Sequence, residues 1–264
     1  MNFVKDMLDG FIESQIFFPD RTLMCTPATE GLTYQDMWFE TSDAIRLHGW
    51  LIPAVPSIGL VLFCHGNAGN VSHRVDNIRL LNEIGVSVFI FDYRGYGMSN
   101  GRITETGFYL DAEAAFAVAR GLANRDSAQL IVFGRSLGGI AAVHLAARHV
   151  CDGVILESTF PHLAALAKEH FPLPAPENLL KHRLNAVDKI GNVKADILFF
   201  HGDRDTIVPI RLGRQLFSAA SAHKEFVVLS GAEHNDTYLV GGRKYFDKWK
   251  TFIAGLRHHA PSVE

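Results

Sequence analysis

The chain has 264 residues, of which 48% are hydrophobic, and we expect one α/β domain over residues 1–264 with a single sizeable core. A net charge of −3 gives no basic footprint, so we expect no nucleic-acid partner. The three cysteines form no C-x-x-C motif and the thirteen histidines no H-E-x-x-H motif, so we expect no disulfide framework, no metal and a cytoplasmic location.

The first predicted element is an amphipathic helix near the N-terminus. Its apolar face consists of Val4, Met7, Leu8, Phe11, Ile12 and Ile16. We interpret it as a helix packed on the flank of the domain. The alternative is a helix on a membrane surface, which its acidic polar face disfavours. No stretch reaches the roughly 18 apolar residues of a membrane span.

The sequence after this helix predicts a series of strands. Residues 37–41 and 45–52 alternate in part between polar and apolar positions, which predicts an antiparallel pair with one solvated face. Six short, continuous apolar runs follow, and such runs are typical of parallel strands buried on both faces. They span residues 60–64, 86–91, 130–133, 154–156, 197–200 and 226–229.

Helical patterns separate most of these runs, with Ser72 and Pro209 as candidate helix starts. The alternation predicts a doubly wound, mostly parallel sheet of about eight strands that binds its ligand beyond the strands' carboxyl ends. Residues 160–192 lack a strand signal, and we predict a small lid there; a loop-and-helix excursion without a binding role is the alternative. The candidate substrate-binding residues of this lid are Phe160, Leu163, Leu166, Phe171 and Leu173.

The stretch Gly134-Arg135-Ser136-Leu137-Gly138 matches the pattern G-x-S-x-G between an apolar run and an Ala-rich run. A strand, a sharp turn at a serine and a helix make a nucleophile elbow. Side chains two residues before and after such a serine would collide, which explains Gly134 and Gly138. A Gly-rich turn with a solvent-facing serine is the alternative.

Further signals follow other predicted strands. In the loop His65-Gly66-Asn67-Ala68-Gly69-Asn70, the backbone N–H of Asn67 is a candidate oxyanion-hole donor together with that of Leu137. We interpret the His65 side chain as a brace for this loop. The loop Asp92-Tyr93-Arg94-Gly95-Tyr96-Gly97-Met98-Ser99 is interpreted as a scaffold.

The last signals are Asp205 in H-G-D-R-D and His234 in G-A-E-H-N-D. The order Ser136, Asp205, His234 is that of the α/β-hydrolase triad, in which the histidine takes the serine proton and the acid orients the imidazole. Asp203 and Glu157 are rival acids.

Together, H-G-N-A-G-N, D-Y-R-G-Y-G-x-S, G-R-S-L-G-G, H-G-x-x-D and the late histidine resemble the α/β-hydrolase superfamily from about residue 34 to residue 256. The sequence is most similar to serine aminopeptidase-like, lysophospholipase-like and acyl-protein-thioesterase-like proteins with a small lid. This resemblance implies the α/β-hydrolase fold and a triad whose acid is Asp205.

We therefore expect a serine hydrolase that cleaves carboxylic esters or thioesters of small to medium acyl groups through an acyl-enzyme, with a small-molecule substrate and no cofactor. A serine at the elbow disfavours dehalogenases and epoxide hydrolases, which use a carboxylate nucleophile. A peptidase with the same triad and a non-catalytic binding protein on the same fold are the alternatives.

Overall fold

A computed structural model describes residues 13, 14, 16–170, 180 and 182–256. Most of the predicted N-terminal helix, including Val4, Met7, Leu8, Phe11 and Ile12, lies outside these residues, whereas Ile16 packs against the core. In the described part of the chain, no helix combines the length and the apolar character needed to cross a membrane.

The described residues form an eight-stranded sheet in the order β1-β2-β4-β3-β5-β6-β7-β8. The strands are β1 (Gln35–Glu40), β2 (Arg46–Ile52), β3 (Gly59–Cys64), β4 (Val86–Phe91), β5 (Leu130–Arg135), β6 (Gly153–Glu157), β7 (Asp196–Gly202) and β8 (Lys224–Leu229). β2 runs antiparallel to β1 and β4, and the remaining neighbours are parallel. The predicted fold class is confirmed.

Helices cover both faces of the sheet. They are α1 (Val75–Glu83), α2 (Glu105–Asp126), α3 (Leu137–Ala146), α4 (Leu163–His170), α5 (Val187–Ile190), α6 (Ile210–Ala219) and α7 (Thr237–Gly255), with 3₁₀ turns at Pro27–Glu30 and Val71–Arg74. α1 and α7 pack on one face, and α2 to α6 pack on the other.

The central strands are buried on both faces, as their continuous apolar runs predict. In β5, Leu130 and Val132 enter one core while Ile131 and Phe133 enter the other, because successive side chains of a strand point to opposite faces. A strand with two core faces needs apolar residues at every position. Polar functional side chains must therefore lie in the loops at the ends of these strands.

One local prediction turns out differently. Asn70, rather than Ser72, caps the turn that leads into α1, because the Asn70 side chain accepts the Ser72 backbone N–H at 2.9 Å. The start of α6 agrees with the prediction, since Pro209 directly precedes it. The lid region contains α4 and α5, and residues 171–179 and 181 lie outside the described residues.

Candidate active site

The carboxyl edge of the parallel strands gathers the residues that the sequence singles out. Asn67 follows β3, Ser136 follows β5, Asp205 follows β7 and His234 follows β8. Because parallel strands share one carboxyl edge, these distant segments converge there. We call this convergence the candidate active site.

Ser136 occupies a strained turn between β5 and α3. Its φ of 53° and ψ of −119° lie outside the regions that L-residues favour. The turn is held from β6, since the Ser136 N–H donates to the Glu157 carbonyl at 2.8 Å and Thr159 Oγ1 donates to the Ser136 carbonyl at 2.8 Å. These two hydrogen bonds hold the Ser136 backbone in its strained conformation.

The two glycines of the elbow are required by space. A Cβ at Gly134 would lie 2.4 Å from the Gly138 carbonyl oxygen, and a Cβ at Gly138 would lie 1.9 Å from the Cys64 carbonyl oxygen. Any larger residue would push the elbow away from β3 or from α3. The steric reason predicted for G-x-S-x-G is therefore present.

Asp205 and His234 contact each other directly. His234 Nδ1 lies 2.8 Å from Asp205 Oδ2, while Asp205 Oδ1 accepts the backbone N–H groups of Ile207 at 3.0 Å and Val208 at 2.7 Å. A carboxylate can only accept, so Nδ1 carries a proton, and in the tautomer this selects Nε2 is the nitrogen with the lone pair. The carboxylate therefore fixes the tautomer that a general base needs.

The electrostatics of Asp205 favour its charged form. Burial by itself raises the pKa of a carboxyl group, but the hydrogen bond and charge of His234, together with the Val208 amide, outweigh it and hold the pKa of Asp205 below its ordinary value. Asp205 is consequently an anion at neutral pH, as an orienting acid must be.

His201 in the same loop has a supporting position. Its Nε2 lies 2.7 Å from the Val208 carbonyl oxygen, to which it donates, and 3.6 Å from Asp205 Oδ2. Burial lowers the pKa of His201, so the ring stays neutral inside the loop. Its ring packs against Gly213 of α6, where a Cβ would lie 2.3 Å from His201 Nδ1.

The loop after β3 lies against the elbow: a Cβ at Gly66 would be 3.5 Å from the Ser136 Cβ. Asn67 Oδ1 accepts the Phe18 N–H at 3.1 Å and the Tyr96 hydroxyl at 3.0 Å, so the side chain anchors the loop. Sequence reasoning missed this anchor and predicted only a role for the backbone N–H. Leu137 begins α3, whose first N–H groups have no intrahelical acceptor.

His65 and the loop after β4 brace this arrangement, as the sequence suggested. His65 Nδ1 lies 2.7 Å from the Gly66 carbonyl oxygen, and His65 Nε2 faces Asp92 Oδ1 at 3.4 Å. The rings of Tyr93 and Tyr96 pack on the imidazole. All of these side chains are buried, so the loop has a rigid base.

The rival acids serve other partners. Both carboxylate oxygens of Glu157 accept hydroxyl groups, from Thr237 at 2.8 Å and from Tyr245 at 2.6 Å. Asp203 accepts the Ser230 hydroxyl at 3.1 Å and the Gly231 N–H at 2.7 Å in a turn. Among the described contacts, neither carboxylate touches His234.

The predicted substrate-binding residues of the lid are dispersed. Phe160 and Leu163 are buried in the core on the α3 side, and Leu166 of α4 is half-buried beside it. Phe171 and Leu173 lie outside the described residues. A lining role for these residues stays a prediction.

The described part of the chain contains no hydrogen bond between the Ser136 hydroxyl and His234. Catalytic hydrogen bonds are often long before substrate binds, so Ser136 keeps its candidacy. A direct link does join the two segments, since the side chain of Arg135 donates to the His234 carbonyl at 2.6 Å. No cluster of three or more metal-ligating side chains occurs within the described residues.

Comparison with known proteins decides the family. The chain is 38% identical over 250 residues to an uncharacterized protein of Mycobacterium tuberculosis, covering 92% of this chain and 89% of that protein. It is 31% identical over 281 residues to the alpha/beta hydrolase domain-containing protein WAV2 of Arabidopsis thaliana, covering 97% and 90% of the two chains. The chain belongs to the α/β-hydrolase superfamily. The resemblance seen in its motifs is thereby confirmed.

Two further comparisons describe this α/β-hydrolase. The family model for serine aminopeptidases of the S33 type matches residues 56–175, a span that includes the elbow. A solved esterase of Pyrococcus furiosus superposes with a TM-score of 0.75, covering 90% of this chain and 99% of that one. Its sequence identity of 22% shows a shared fold and no more.

Proposed function

We propose that this α/β-hydrolase is a serine hydrolase that cleaves carboxylic ester or thioester bonds of small to medium acyl substrates. The observation that carries the proposal is the 2.8 Å contact between Asp205 and His234 on the sheet edge that also holds the strained Ser136. An oriented imidazole and a half-buried serine in a strained turn on the same edge of the sheet can supply the base and the nucleophile of acyl transfer.

The proposed reaction has two halves. Ser136 Oγ attacks the carbonyl carbon while His234 Nε2 takes the hydroxyl proton, and the N–H groups of Asn67 and Leu137 hold the oxyanion. His234 then protonates the leaving alcohol or thiol, which leaves an acyl-Ser136. Water attacks this ester in the same way and releases the acid. Asp205 stabilises the imidazolium in both halves.

Only protons and an acyl group move in these steps, so the proposed reaction requires no cofactor. The proposed substrate is a small molecule. We also propose a cytoplasmic location, because the thiols of Cys25, Cys64 and Cys151 are free.

Labelling of the nucleophile tests the proposal directly. A fluorophosphonate probe should modify the wild-type protein once per chain, because it reacts with an activated serine. The Ser136→Ala variant should remain unlabelled. Ser158→Ala is the matched control and should be labelled, because Ser158 is a fully buried serine that directly follows Glu157 of β6. Labelling that survives Ser136→Ala would remove the assignment.

A graded panel of p-nitrophenyl esters and thioesters tests the substrate. Each methylene buried beside apolar lid residues is worth up to about 0.8 kcal/mol, close to fourfold in kcat/KM. We expect kcat/KM to rise from acetyl to about hexanoyl or octanoyl and then to level or fall, because the lid is short. A profile that peaks at acetyl would contradict an apolar acyl pocket.

A peptidase is the second candidate, favoured by the match to the serine aminopeptidase family model over residues 56–175. The same panel separates the two activities when each ester is paired with the amide of the same acyl group. We expect far slower cleavage of the amide. Efficient release of amino acids from peptides would support the peptidase, and an unlabelled, inactive wild type would support a binding protein.

A further inference from the structure

Arg135, the first variable residue of G-x-S-x-G, has an unusual position. It directly precedes the proposed nucleophile, yet its side chain is buried with 6% of its surface exposed. Its guanidinium donates to the His234 carbonyl at 2.6 Å and reaches Asn235 Oδ1 at 3.4 Å. One side chain therefore joins the nucleophile turn to the backbone of the histidine loop, 99 residues later.

Glu157 balances the charge of this guanidinium. Arg135 Nε lies 3.1 Å from Glu157 Oε1, and the Glu157 side chain is fully buried. The carboxylate also accepts the hydroxyls of Thr237 and Tyr245, both on α7. Burial, together with the neighbouring Glu157 charge, raises the pKa of Tyr245, so its phenol stays protonated and donates.

The chemistry of arginine suits this position. A planar guanidinium presents several N–H donors in fixed directions, so it can meet a carboxylate on one side and a carbonyl on another. A lysine ammonium reaches less far and lacks this fork. Since a buried charge is costly without a partner, the Glu157 pair keeps Arg135 in place beside the loop.

Two contacts therefore fix His234. Asp205 holds the ring at Nδ1, and Arg135 holds the backbone at the carbonyl. A ring held only at one nitrogen can still swing with its loop, whereas a second anchor on the main chain restricts that motion. The second anchor comes from the residue next to Ser136, so it links the histidine loop to the elbow.

We propose that Arg135 is a positioning residue that aligns His234 with Ser136 through the His234 carbonyl, with Glu157 as its buried counter-ion. The inference rests on the proposed function for its effect on turnover. Arg135 touches no reacting atom in this scheme. Among the described contacts, Ser136 and His234 are not hydrogen-bonded to each other. Before substrate binds, Arg135 therefore keeps the two residues aligned.

The test compares Arg135→Met and Arg135→Lys with Arg94→Met. Arg94 is a matched control, because it is also 6% exposed and pairs with the carboxylates of Asp43 and Asp111, away from His234. We expect Arg135→Met to lower kcat on a p-nitrophenyl ester by about 100-fold with KM nearly unchanged, since small misplacements cost this much. Arg135→Lys should recover part of the loss. Arg94→Met should lower the thermal midpoint to a similar extent and keep kcat.

A second readout needs no turnover. In the proton NMR spectrum, the His234 Nδ1–H that faces Asp205 should give a downfield signal, assigned by its loss in His234→Ala. Arg135→Met should shift or broaden this signal, and Arg94→Met should leave it unchanged. An unchanged signal in Arg135→Met, a kcat loss equal to that of Arg94→Met, or no such signal in the wild type would overturn the inference.

Failure of the proposed function looks different. A wild type that no fluorophosphonate labels would remove the serine hydrolase, while the NMR comparison of Arg135→Met with Arg94→Met would still decide whether Arg135 aligns His234. Labelling of the wild type with an unchanged His234 signal in Arg135→Met would keep the hydrolase and remove the positioning role.

Discussion

Two histidine–aspartate pairs on the same edge of the sheet differ in the nitrogen that meets the carboxylate and in the exposure of the histidine. His234 meets Asp205 through Nδ1 at 2.8 Å, and 10% of the His234 side chain is exposed. His65 meets Asp92 through Nε2 at 3.4 Å, and both side chains are fully buried. The residue types are the same, so the nitrogen used and its access to solvent separate the two pairs.

That difference assigns the roles. In the His65 pair, Nδ1 donates to the Gly66 carbonyl and Nε2 faces a carboxylate, so neither nitrogen can reach a substrate. In the His234 pair, the carboxylate occupies the inner nitrogen and leaves the outer one with a lone pair. A fully buried imidazole, hydrogen-bonded to the backbone through Nδ1 and facing a carboxylate through Nε2, is suited to bracing a loop. An imidazole whose second nitrogen stays available is suited to the base that we propose.

The largest expected effect separates the two histidines. His234→Ala should lower kcat on the order of 10⁶-fold, since removing the base also removes nucleophile activation. Its thermal midpoint should change little. His65→Ala should do the reverse, because it empties a buried site against two tyrosine rings. Steady-state kinetics and thermal unfolding check both; a His65→Ala loss of kcat as large as that of His234→Ala would contradict the assigned roles.

The two aspartates should differ by a smaller factor. Asp205→Asn should lower kcat about 10⁴-fold, because an amide in place of the carboxylate favours the wrong histidine tautomer. Asp92→Asn keeps an oxygen that can accept the Val71 N–H, now 2.9 Å from Asp92 Oδ1, and should lose far less activity.

Asp203→Asn and Glu157→Gln, at the rival acids, should also be milder than Asp205→Asn in the same kinetic assay. A Glu157→Gln variant that keeps its fold and loses more activity than Asp205→Asn would show that the acid is misassigned.

The lowered pKa of Asp205 predicts a pH dependence of stability. A carboxyl group with a folded pKa below its unfolded value of about 3.9 stabilises the fold above that value and loses this contribution as the pH falls through the folded pKa. Denaturant unfolding should therefore show a smaller loss of stability below about pH 5 for Asp205→Asn than for the wild type. Ser136→Ala serves as the control and should keep the wild-type slope.

The smallest expected effect concerns the loop after β3, which carries Asn67. Tyr96→Phe removes the hydroxyl that donates to Asn67 Oδ1 at 3.0 Å, a bond worth about 0.5–1.5 kcal/mol. We expect kcat to fall roughly two- to tenfold if the loop loses alignment. Tyr93→Phe, which removes a donor to the His65 carbonyl, should affect stability more than kcat. Equal kcat for Tyr96→Phe and wild type would exclude the anchor.

Local patterns were sufficient to predict the sheet and the elbow. Apolar residues at every position of 130–133 indicate a strand with two buried faces. The glycines at 134 and 138 indicate close backbone approaches, which the structure shows between Gly134 and Gly138 and between Gly138 and Cys64 of β3. The order of Ser136, Asp205 and His234 along the chain predicted which loops would meet. Each of these signals lies within one short stretch or depends only on topology.

Long-range side-chain partners could not be predicted in this way. The carboxylate of Glu157 follows a strand as an acid would, but its partners Thr237 and Tyr245 lie 80 and 88 residues away. The same holds for Arg135, because nothing in the sequence around the elbow indicates that its side chain donates to the His234 carbonyl. The cap at Asn70 was missed because asparagine and serine are both good capping residues. Which of them caps depends on where the first helical turn begins, and that is visible only in the backbone conformation.

The strand order has a consequence for synthesis. On one side of β3, the sheet is extended by β5, β6, β7 and β8. Their order in the sheet is also the order in which the ribosome makes them, so each new strand can pair with the edge that the previous one leaves. Since N-terminal parts fold first during translation, the elbow with Ser136 can settle on β3 well before β8 and α7 emerge. The growing chain then carries Ser136 before His234 is in place. The candidate active site is complete only when β8 has joined the edge and His234 meets Asp205, late in synthesis.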